Sequence, residues 1–284
     1  CVPTEPGRPN LPAITGLIVN GLLLDPAVSA GDAGVGRGVA YMLSFQKPDG
    51  GIYDTMLPTY NTSITLSALA RIDSDEARAA IKKGQEFLRH SQWGVAEPMG
   101  VGGAGGKEAP KPNITPEHPF YGGIGYGNKG RPDISNTTFM LQAFADTGVP
   151  NDDPAVQRAL IFLQRLQMLE KGDGGKIVND MAYAQGSKQG GFIYATAPTE
   201  KDPGKGETNA GMIEETLDDG TKVSRMRCYG SVTYAGFKSY LYAGLKKDDA
   251  RVKAVVDFVR SNYTLSENPG VGTDGQYYYY LMFA

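Results

Sequence analysis

The sequence predicts an all-α protein with the architecture of an α/α toroid, in which inner and outer helices alternate along the chain as concentric layers. Three observations predict it. A helical pattern with a common ending recurs along the chain, charged helices alternate with helices that carry few charges, and hydrophobic residues make up 40% of the 284 positions. A helix with few charges on any face is buried on most sides, so these helices are assigned to the inner layer.

The outer helices carry the recurring pattern. Each begins at a cluster of acidic residues or Pro, such as Asn151–Pro154, which is typical of a first helical turn. Each ends at Gln or Asn, after which come Gly and an aromatic residue. We expect the Gln side chain to bond backbone groups at the end of its own helix, and the glycines to allow a tight chain reversal. The pattern occupies Arg37–Gln46 with Gly50–Tyr53, Lys83–Gln92 with Gly122–Tyr126, Arg158–Gln167 with Gly190–Tyr194 and, in degenerate form, Phe258–Asn262 with Gly275–Tyr277.

The inner helices are more uniformly apolar, and they define a single domain. Residues 1–12 are predicted to be an N-terminal linker, and residues 13–284 form the domain. Two long segments rich in Gly and Pro, 93–132 and 171–227, are predicted to be loops at one end of the helix pairs, where the mouth of a toroid would lie. The predicted inner helices are Ile14–Leu24, Tyr60–Ile72, Ser135–Thr147, Gly230–Leu245 and Tyr277–Ala284.

Charge and composition limit the classes of partner and the cellular compartments that fit the sequence. The net charge is −3 and the basic residues form no stripe, which argues against nucleic acid as a partner. No apolar run reaches membrane-spanning length. Cys1 followed by the Pro-rich segment Val2–Pro12 predicts an exported, periplasmic protein that carries a lipid on Cys1, and the alternative is a cytoplasmic protein in which Cys1 has no such role.

The repeat pattern resembles the QW repeat of squalene and oxidosqualene cyclases, with Tyr53, Tyr126 and Tyr194 in place of the usual Trp. The resemblance covers residues 14–284 and implies a toroid of helix pairs. By this count the chain is one inner helix and two outer helices short of a closed ring, so an incomplete ring, or one completed by more chain or by a partner, is expected. The segments Gln46–Tyr53, Gly130–Phe139, Tyr229–Gly236 and Gly275–Tyr280 are similar to bacterial "prenyltransferase and squalene oxidase repeat" proteins.

The resemblance also implies where a catalytic acid would stand. Class II terpene cyclases, which the repeat resembles, protonate an alkene or epoxide with an Asp-x-Asp-Asp motif. The corresponding segment here begins at Asp133, and Ser135 takes the position of the proton donor. A hydroxyl group is far too weak an acid for that step, because the chemistry needs a carboxylic acid with a raised pKa. Asp133 is therefore the catalytic candidate, and the alternative is that it caps the helix that follows.

A zinc site of the protein prenyltransferase type is not predicted. Such a site takes Asp, Cys and His, and Cys228 would be the Cys. Met226 stands where the Asp is needed, and the two histidines, His90 and His118, lie on an outer helix and in a loop. The sequence therefore predicts neither a metal nor a cofactor, and it predicts that Cys228 is a small buried residue.

Aromatic residues on the inner helices predict an axial pocket for a hydrophobic small molecule or an isoprenoid. The alternative for each residue is packing between the two helix layers. Hydroxyl groups near the mouth would add polar contacts. The candidate pocket residues are Thr138, Phe139, Tyr229, Thr233, Phe237, Tyr240 and Tyr277.

Three functions remain open. The first is a binding or scaffold protein without catalysis, because the repeats are intact while the acid and zinc ligands are missing. The second is a terpenoid cyclase or isomerase with a non-standard acid. The third is a carbohydrate-active hydrolase or lyase, which needs two facing carboxylates. The loop acids that would supply such a pair are Asp49, Asp54, Glu117, Asp133, Asp173, Asp180, Glu267 and Asp274.

Overall fold

A computed structural model describes residues 9–95, 114–127 and 130–284. These residues form nine α-helices and one antiparallel two-stranded sheet, so the protein is mainly helical, as predicted. Cys1, most of the 1–12 linker and residues 96–113 of the first long loop lie outside the described residues. The elements are α1 (Pro12–Leu22), α2 (Ala33–Leu43), α3 (Pro58–Leu69), α4 (Asp75–Ser91), α5 (Ile134–Asp146), α6 (Pro154–Leu166), β1 (Met212–Thr216), β2 (Lys222–Met226), α7 (Gly230–Tyr242), α8 (Ala250–Asn262) and α9 (Gln276–Phe283).

The helices fall into two groups that alternate along the chain. The odd-numbered helices pack side by side in chain order, from α1 to α9. Each even-numbered helix packs against the odd-numbered helix that precedes it. Helices α3 and α5 are buried along most of their length, whereas α4 buries a single stripe. The odd-numbered helices, which carry few charges, therefore form the core of the molecule, as their composition predicts.

Helix α4 shows how sequence signals set the limits of an outer helix. The Ser74 hydroxyl accepts a hydrogen bond from the amide of Ala77 at 3.1 Å, and Asp75 and Glu76 occupy the first turn. Arg89 lies in the last turn, where a cation is favourable at the negative end of the helix dipole. No helix within the described ranges is both long enough and apolar enough to cross a membrane.

The Gln that recurs in the repeats forms a clamp between successive outer helices. The amide of Gln92 donates to the carbonyl oxygens of Gly122 at 2.7 Å and Ala155 at 2.9 Å, the latter in the first turn of α6. The prediction that Gln bonds the end of its own helix is therefore wrong: the side chain is long enough to reach the next outer helix, whose backbone accepts it. The matching bonds run from Gln167 to Gly190 and Arg251, and from Gln46 to Ala80.

The glycines of each repeat let the chain approach the same outer helix closely. Gly122 has a φ of 83°, and a Cβ there would lie 1.8 Å from the carbonyl oxygen of Arg158. A Cβ on Gly123 would meet the ring of Phe162 at 2.8 Å. Only Gly fits both positions, because the first needs a left-handed backbone and both need the missing side chain. The equivalent pairs are Gly50 with Lys83, Gly51 with Phe87, Gly190 with Ala254 and Gly191 with Phe258.

The segment 171–227 is more ordered than the sequence predicts. It contains the antiparallel pair β1–β2, which runs in register from Met212 opposite Met226 to Thr216 opposite Lys222. The expectation of a purely helical protein with an unstructured loop here is wrong in this detail. Gly220, with a φ of 83°, lies in the turn that joins the two strands.

Candidate functional site

The N-terminal ends of all five odd-numbered helices surround one cavity of about 690 Å³. Because these helices lie side by side and begin at the same end of the molecule, their first turns and the residues just before them converge. Six of the lining residues are aromatic, five are aliphatic, five are polar or charged, and one is glycine. The lining residues are Leu11, Ile14, Leu57, Tyr60, Tyr126, Ser135, Phe139, Tyr194, Asn209, Tyr229, Ser231, Val232, Asn268, Val271, Asp274, Gly275 and Tyr278.

Four of the aromatic rings form a continuous row across the cavity. The ring centroid of Tyr60 lies 6.2 Å from that of Tyr126 and 5.3 Å from that of Phe139. Phe139 in turn lies 6.3 Å from Tyr278. The row joins α3, α5 and α9 to the loop that carries Tyr126, and edge-to-face packing of this kind fixes each ring against its neighbour. The cavity wall is therefore built from rings that support one another.

Tyrosine hydroxyl groups line another part of the wall. The hydroxyl oxygens of Tyr126 and Tyr194 lie 3.4 Å apart, and Asn209 donates to the Tyr229 hydroxyl at 3.5 Å. Both distances are at the long end of the hydrogen-bonding range, so these bonds are weak. The hydroxyl groups are accordingly able to exchange one of these partners for a ligand.

Leu57 enters the cavity wall from an unusual backbone conformation. Its φ of 52° and ψ of 49° place it in the left-handed region, immediately before Pro58 begins α3. This conformation is unfavourable for a branched side chain, and it is further restricted before Pro. Backbone strain of this kind often accompanies binding sites, and here it coincides with a residue that lines the cavity.

Asp133 lies directly behind this wall and caps α5. Its carboxylate accepts a hydrogen bond from the Asn136 amide nitrogen at 2.9 Å, and the Asn136 side chain donates to both carboxylate oxygens, at 3.1 and 2.9 Å. Burial raises the pKa of Asp133 to about 6, while the hydrogen bonds from Asn136 and the charge of Arg131 oppose that rise. Asp133 thus serves as the helix cap that the sequence left as an alternative, and it is closed off from solvent.

The negative charge of Asp133 affects the pKa values of three tyrosines that line the cavity. Burial is the main reason that the pKa values of Tyr194, Tyr229 and Tyr278 are raised, and the negative charge of Asp133 raises all three further. The nearest described cation is Arg131, whose guanidinium lies 5.1 Å from the centre of the Tyr194 ring and is paired with Glu207. Positive charge at this site is therefore already neutralised by protein carboxylates.

Two of the predicted pocket residues line the cavity. Phe139 belongs to the row of rings, and Tyr229 is the residue before α7 begins. Phe237 is partly buried and packs against the core of the helical layers without lining the cavity. Tyr277, at the start of α9, is 76% exposed. Its neighbour Tyr278 faces inward in its place, since successive residues of a helix point about 100° apart.

The structure places Thr138, Thr233 and Tyr240 in the packed core, which corrects their assignment to the pocket. The Thr138 hydroxyl lies 3.3 Å from the Ala235 carbonyl oxygen, on the interface between α5 and α7. Thr233 accepts from the Phe192 amide at 3.1 Å. Each hydroxyl group is thus hydrogen-bonded to a backbone group of a neighbouring segment rather than facing a ligand. Tyr240 is fully buried, and its hydroxyl donates to Gln167 at 2.8 Å.

Sequence reasoning missed the contribution of the loops. Tyr126 and Tyr194 occupy the aromatic position of the repeat, and neither is among the predicted pocket residues. Tyr53, at the same position in the first repeat, packs with its ring 5.8 Å from Phe87. Asn209 comes from an irregular segment that offers no periodic signal, and Asp274 was considered only as one of eight loop acids. The signal that could have identified Tyr126 and Tyr194 is the long loop that follows each Gln in those two repeats.

Metal binding finds no support among the described residues. No group of three or more His, Cys, Asp or Glu side chains is placed to hold a metal ion in residues 9–95, 114–127 and 130–284. Cys228 is buried, and burial raises the pKa of its thiol well above the usual value. His90 bonds the backbone of its own helix, and His118 stacks on Trp93. Cys228 is thus a buried thiol, as predicted.

Most of the loop acids serve the local structure. Asp49 accepts from Tyr53 at 2.5 Å, Asp54 accepts from Asn10 at 2.8 Å, and Asp180 pairs with Arg165 at 2.9 Å. Of the eight candidates, Asp274 is the one that lines the cavity within the described part of the chain.

No protein-family model and no curated protein matches the chain. The cavity is therefore the feature that bears on function.

Proposed function

We propose that the protein is an α/α toroid similar to squalene cyclases and protein prenyltransferases, and that it binds an apolar small molecule without transforming it. The arrangement of the helices supports the toroid. The odd-numbered helices pack side by side in chain order with their N-terminal ends around one cavity, as helices placed along an arc would, and the even-numbered helices pack against them. The Gln and Gly contacts repeat at three successive junctions, as expected of a repeat architecture in which each unit contacts its neighbours.

Exposed apolar side chains at both ends of the arc support an incomplete ring. Ile18 and Leu22 on α1 are exposed, as are Tyr280 and Phe283 on α9. Such residues are buried in the middle of the arc, for example Leu69 on α3 and Phe144 on α5. The two end helices accordingly lack one neighbour each.

The cavity is the observation that carries the proposed binding function. Its volume of about 690 Å³ falls in the range of small-molecule sites, and aromatic and aliphatic side chains dominate its wall. Burial of an apolar ligand surface against such a wall is favourable by about 25 cal/mol per Å². An isoprenoid or another hydrophobic molecule of similar size is the ligand class that fits these properties.

We propose that the protein does not catalyse a reaction, because neither Asp133 nor Asp274 is placed to act as an acid. Both carboxylate oxygens of Asp133 accept hydrogen bonds from Asn136, and the residue is shielded by the wall. Asp274 lines the cavity but is exposed to solvent, whereas an acid that protonates an alkene has to be shielded from water. One observation favours the cyclase alternative, namely the raised pKa of Asp133, about 6, directly behind an aromatic cavity.

Calorimetric titration with farnesol tests the binding function. We expect saturable binding at one site, and we expect Tyr60→Ala to weaken it about tenfold, because loss of a ring contact costs about 1.5 kcal/mol. Tyr263→Ala is the matched control, since Tyr263 is exposed and does not line the cavity. Equal loss of affinity in both variants, or no binding by the unmodified protein, would contradict the proposal.

Product analysis separates binding from the cyclase alternative. After incubation with squalene or farnesol, we expect the ligand to be recovered unchanged. Appearance of a cyclised product that is lost in Asp133→Asn would favour a cyclase that uses Asp133 as its acid. The Asn side chain is able to cap α5, so this variant is expected to fold.

A further inference from the structure

The cavity combines many aromatic rings with an excess of negative charge. No lysine, arginine or histidine is found among its lining residues in the described part of the chain. Asp274 lines the cavity and is exposed, and the buried Asp133 lies behind Tyr194, Tyr229 and Tyr278. The one described cation beside the wall, Arg131, is paired with Glu207. Electrostatically, the site disfavours an anionic group such as a carboxylate or a diphosphate.

The rings themselves attract positive charge. Each tyrosine or phenylalanine ring has a negative face, and a cation within about 6 Å of a ring centroid is stabilised by it. The protein already shows this contact at the edge of the site, where the Arg131 guanidinium lies 5.1 Å from the Tyr194 ring centroid. Tyr60, Tyr126, Phe139 and Tyr278 form a row in which adjacent centroids are 5.3 to 6.3 Å apart. A group the size of trimethylammonium would contact more than one ring of such a row.

We infer that the cavity selects an organic cation, namely an apolar ligand that carries an alkylammonium head group. This inference rests on the proposed binding function and specifies its ligand class. The rings and aliphatic residues hold the apolar part, the ring faces contact the ammonium, and Asp274 supplies a carboxylate at the exposed part of the wall. The hydroxyl groups of Tyr126, Tyr194 and Tyr229 replace lost water at the head group.

A matched series of ligands tests the inference. The probes are octyltrimethylammonium, octanol and octanoate, which share one alkyl chain and differ in the charge of the head group. Calorimetric titration at pH 7.5 is expected to give the tightest binding for the ammonium, at least tenfold tighter than octanoate, with octanol between them. Equal affinities, or tighter binding of octanoate, would overturn the inference.

Two substitutions assign the preference to the residues named. Tyr60→Leu keeps an apolar side chain but removes a ring face, so it should weaken the ammonium several-fold more than octanol, and Tyr60→Phe should restore the preference. Asp274→Asn should weaken the ammonium and strengthen octanoate. Asp152→Asn removes the same charge beyond the C-terminal end of α5, away from the cavity, and should change neither.

The outcomes distinguish this inference from the function on which it rests. If all three probes bind with similar affinity, and Tyr60→Leu changes them equally, the cavity is an apolar site without cation selectivity, and only the inference fails. If none of the probes binds, the proposed binding function fails as well. If the ammonium binds tightest but Asp152→Asn weakens it as much as Asp274→Asn does, overall charge explains the preference and the assignment to the cavity is wrong.

Discussion

The first repeat and the two that follow it use the same sequence pattern for different purposes. In the first, three residues separate Gln46 from the Gly pair that follows, and Tyr53 is buried against Phe87. In the second and third, long segments separate Gln from the glycines, and Tyr126 and Tyr194 line the cavity. The Gln and Gly positions thus hold successive helices together in these three repeats, and we call these contacts the frame. The aromatic position lines the cavity only in the two repeats where a long loop follows the Gln.

We expect the largest loss of stability from a substitution of a glycine in the frame. Gly122→Ala forces a side chain into the left-handed region and against the Arg158 carbonyl, so we expect a loss of about 4 kcal/mol in the free energy of unfolding, or no folding. Gly148→Ala is the control, because Gly148 has a φ of 77° but no atom within 4 Å of the added Cβ. It should lose about 1 kcal/mol. Similar losses in urea unfolding of the two variants would show that the junction is not tightly packed.

The two aromatic positions should separate stability from binding. Tyr53→Ala removes a buried ring and the bond to Asp49, so we expect a loss of about 3 kcal/mol of stability. Tyr126→Ala removes a ring that is 39% exposed, and we expect a loss below about 0.5 kcal/mol together with clearly weaker ligand binding. Urea unfolding and calorimetric titration measure the two effects. The comparison breaks down if Tyr126→Ala destabilises the protein as much as Tyr53→Ala.

The buried carboxyl group of Asp133 should make the stability of the protein depend on pH. Its pKa is raised from 3.8 to about 6 in the folded state, so the folded protein holds this proton to a higher pH than the unfolded chain. The resulting stabilisation is complete below about pH 4 and is lost as the pH rises through 6. The stability of Asp133→Asn relative to the unmodified protein should therefore increase by about 2–3 kcal/mol between pH 4 and pH 7. A difference that stays flat across this range would show that Asp133 is not the buried group described.

Substitutions of the Gln clamps should cost less stability than Gly122→Ala and Tyr53→Ala. Gln92→Leu removes two bonds to backbone carbonyls and one from Arg158, and we expect a loss of about 2 kcal/mol. Gln46→Leu removes a single bond to the carbonyl of Ala80, at 3.2 Å, and should cost about 1 kcal/mol. Chemical unfolding of both variants checks the order. The reverse order would mean that the first junction, rather than the second, carries the frame.

The helical frame could be predicted from the sequence because its signals are periodic. Charge alternation between helix types, the spacing from Gln to Gly, and the apolar character of segments such as α5 all repeat along the chain. The partner of each Gln could not be predicted, because it depends on how successive outer helices approach one another. The hairpin β1–β2 was missed for a different reason, since it lies outside the repeat and its strands are short.

The site could be predicted only in part. Phe139 and Tyr229 were found because they stand near the starts of inner helices, where the chain converges. Thr138 and Thr233 stand equally close to those starts, but the rotation of about 100° per residue directs them to neighbouring backbone. Sequence spacing gives the height of a residue along a helix more reliably than its direction, and a small error in direction moves a side chain from the cavity to the core.

The central claim is that apolar ligands occupy the space between the tyrosines of the cavity. Nuclear magnetic resonance of protein with isotope-labelled tyrosine rings tests it directly, during titration with octanol or octyltrimethylammonium. We expect the ring signals of Tyr60, Tyr126 and Tyr229 to shift and saturate together, while those of Tyr53 and Tyr240 stay in place. Shifts spread evenly over all tyrosines, or confined to exposed rings such as Tyr263 and Tyr277, would contradict it.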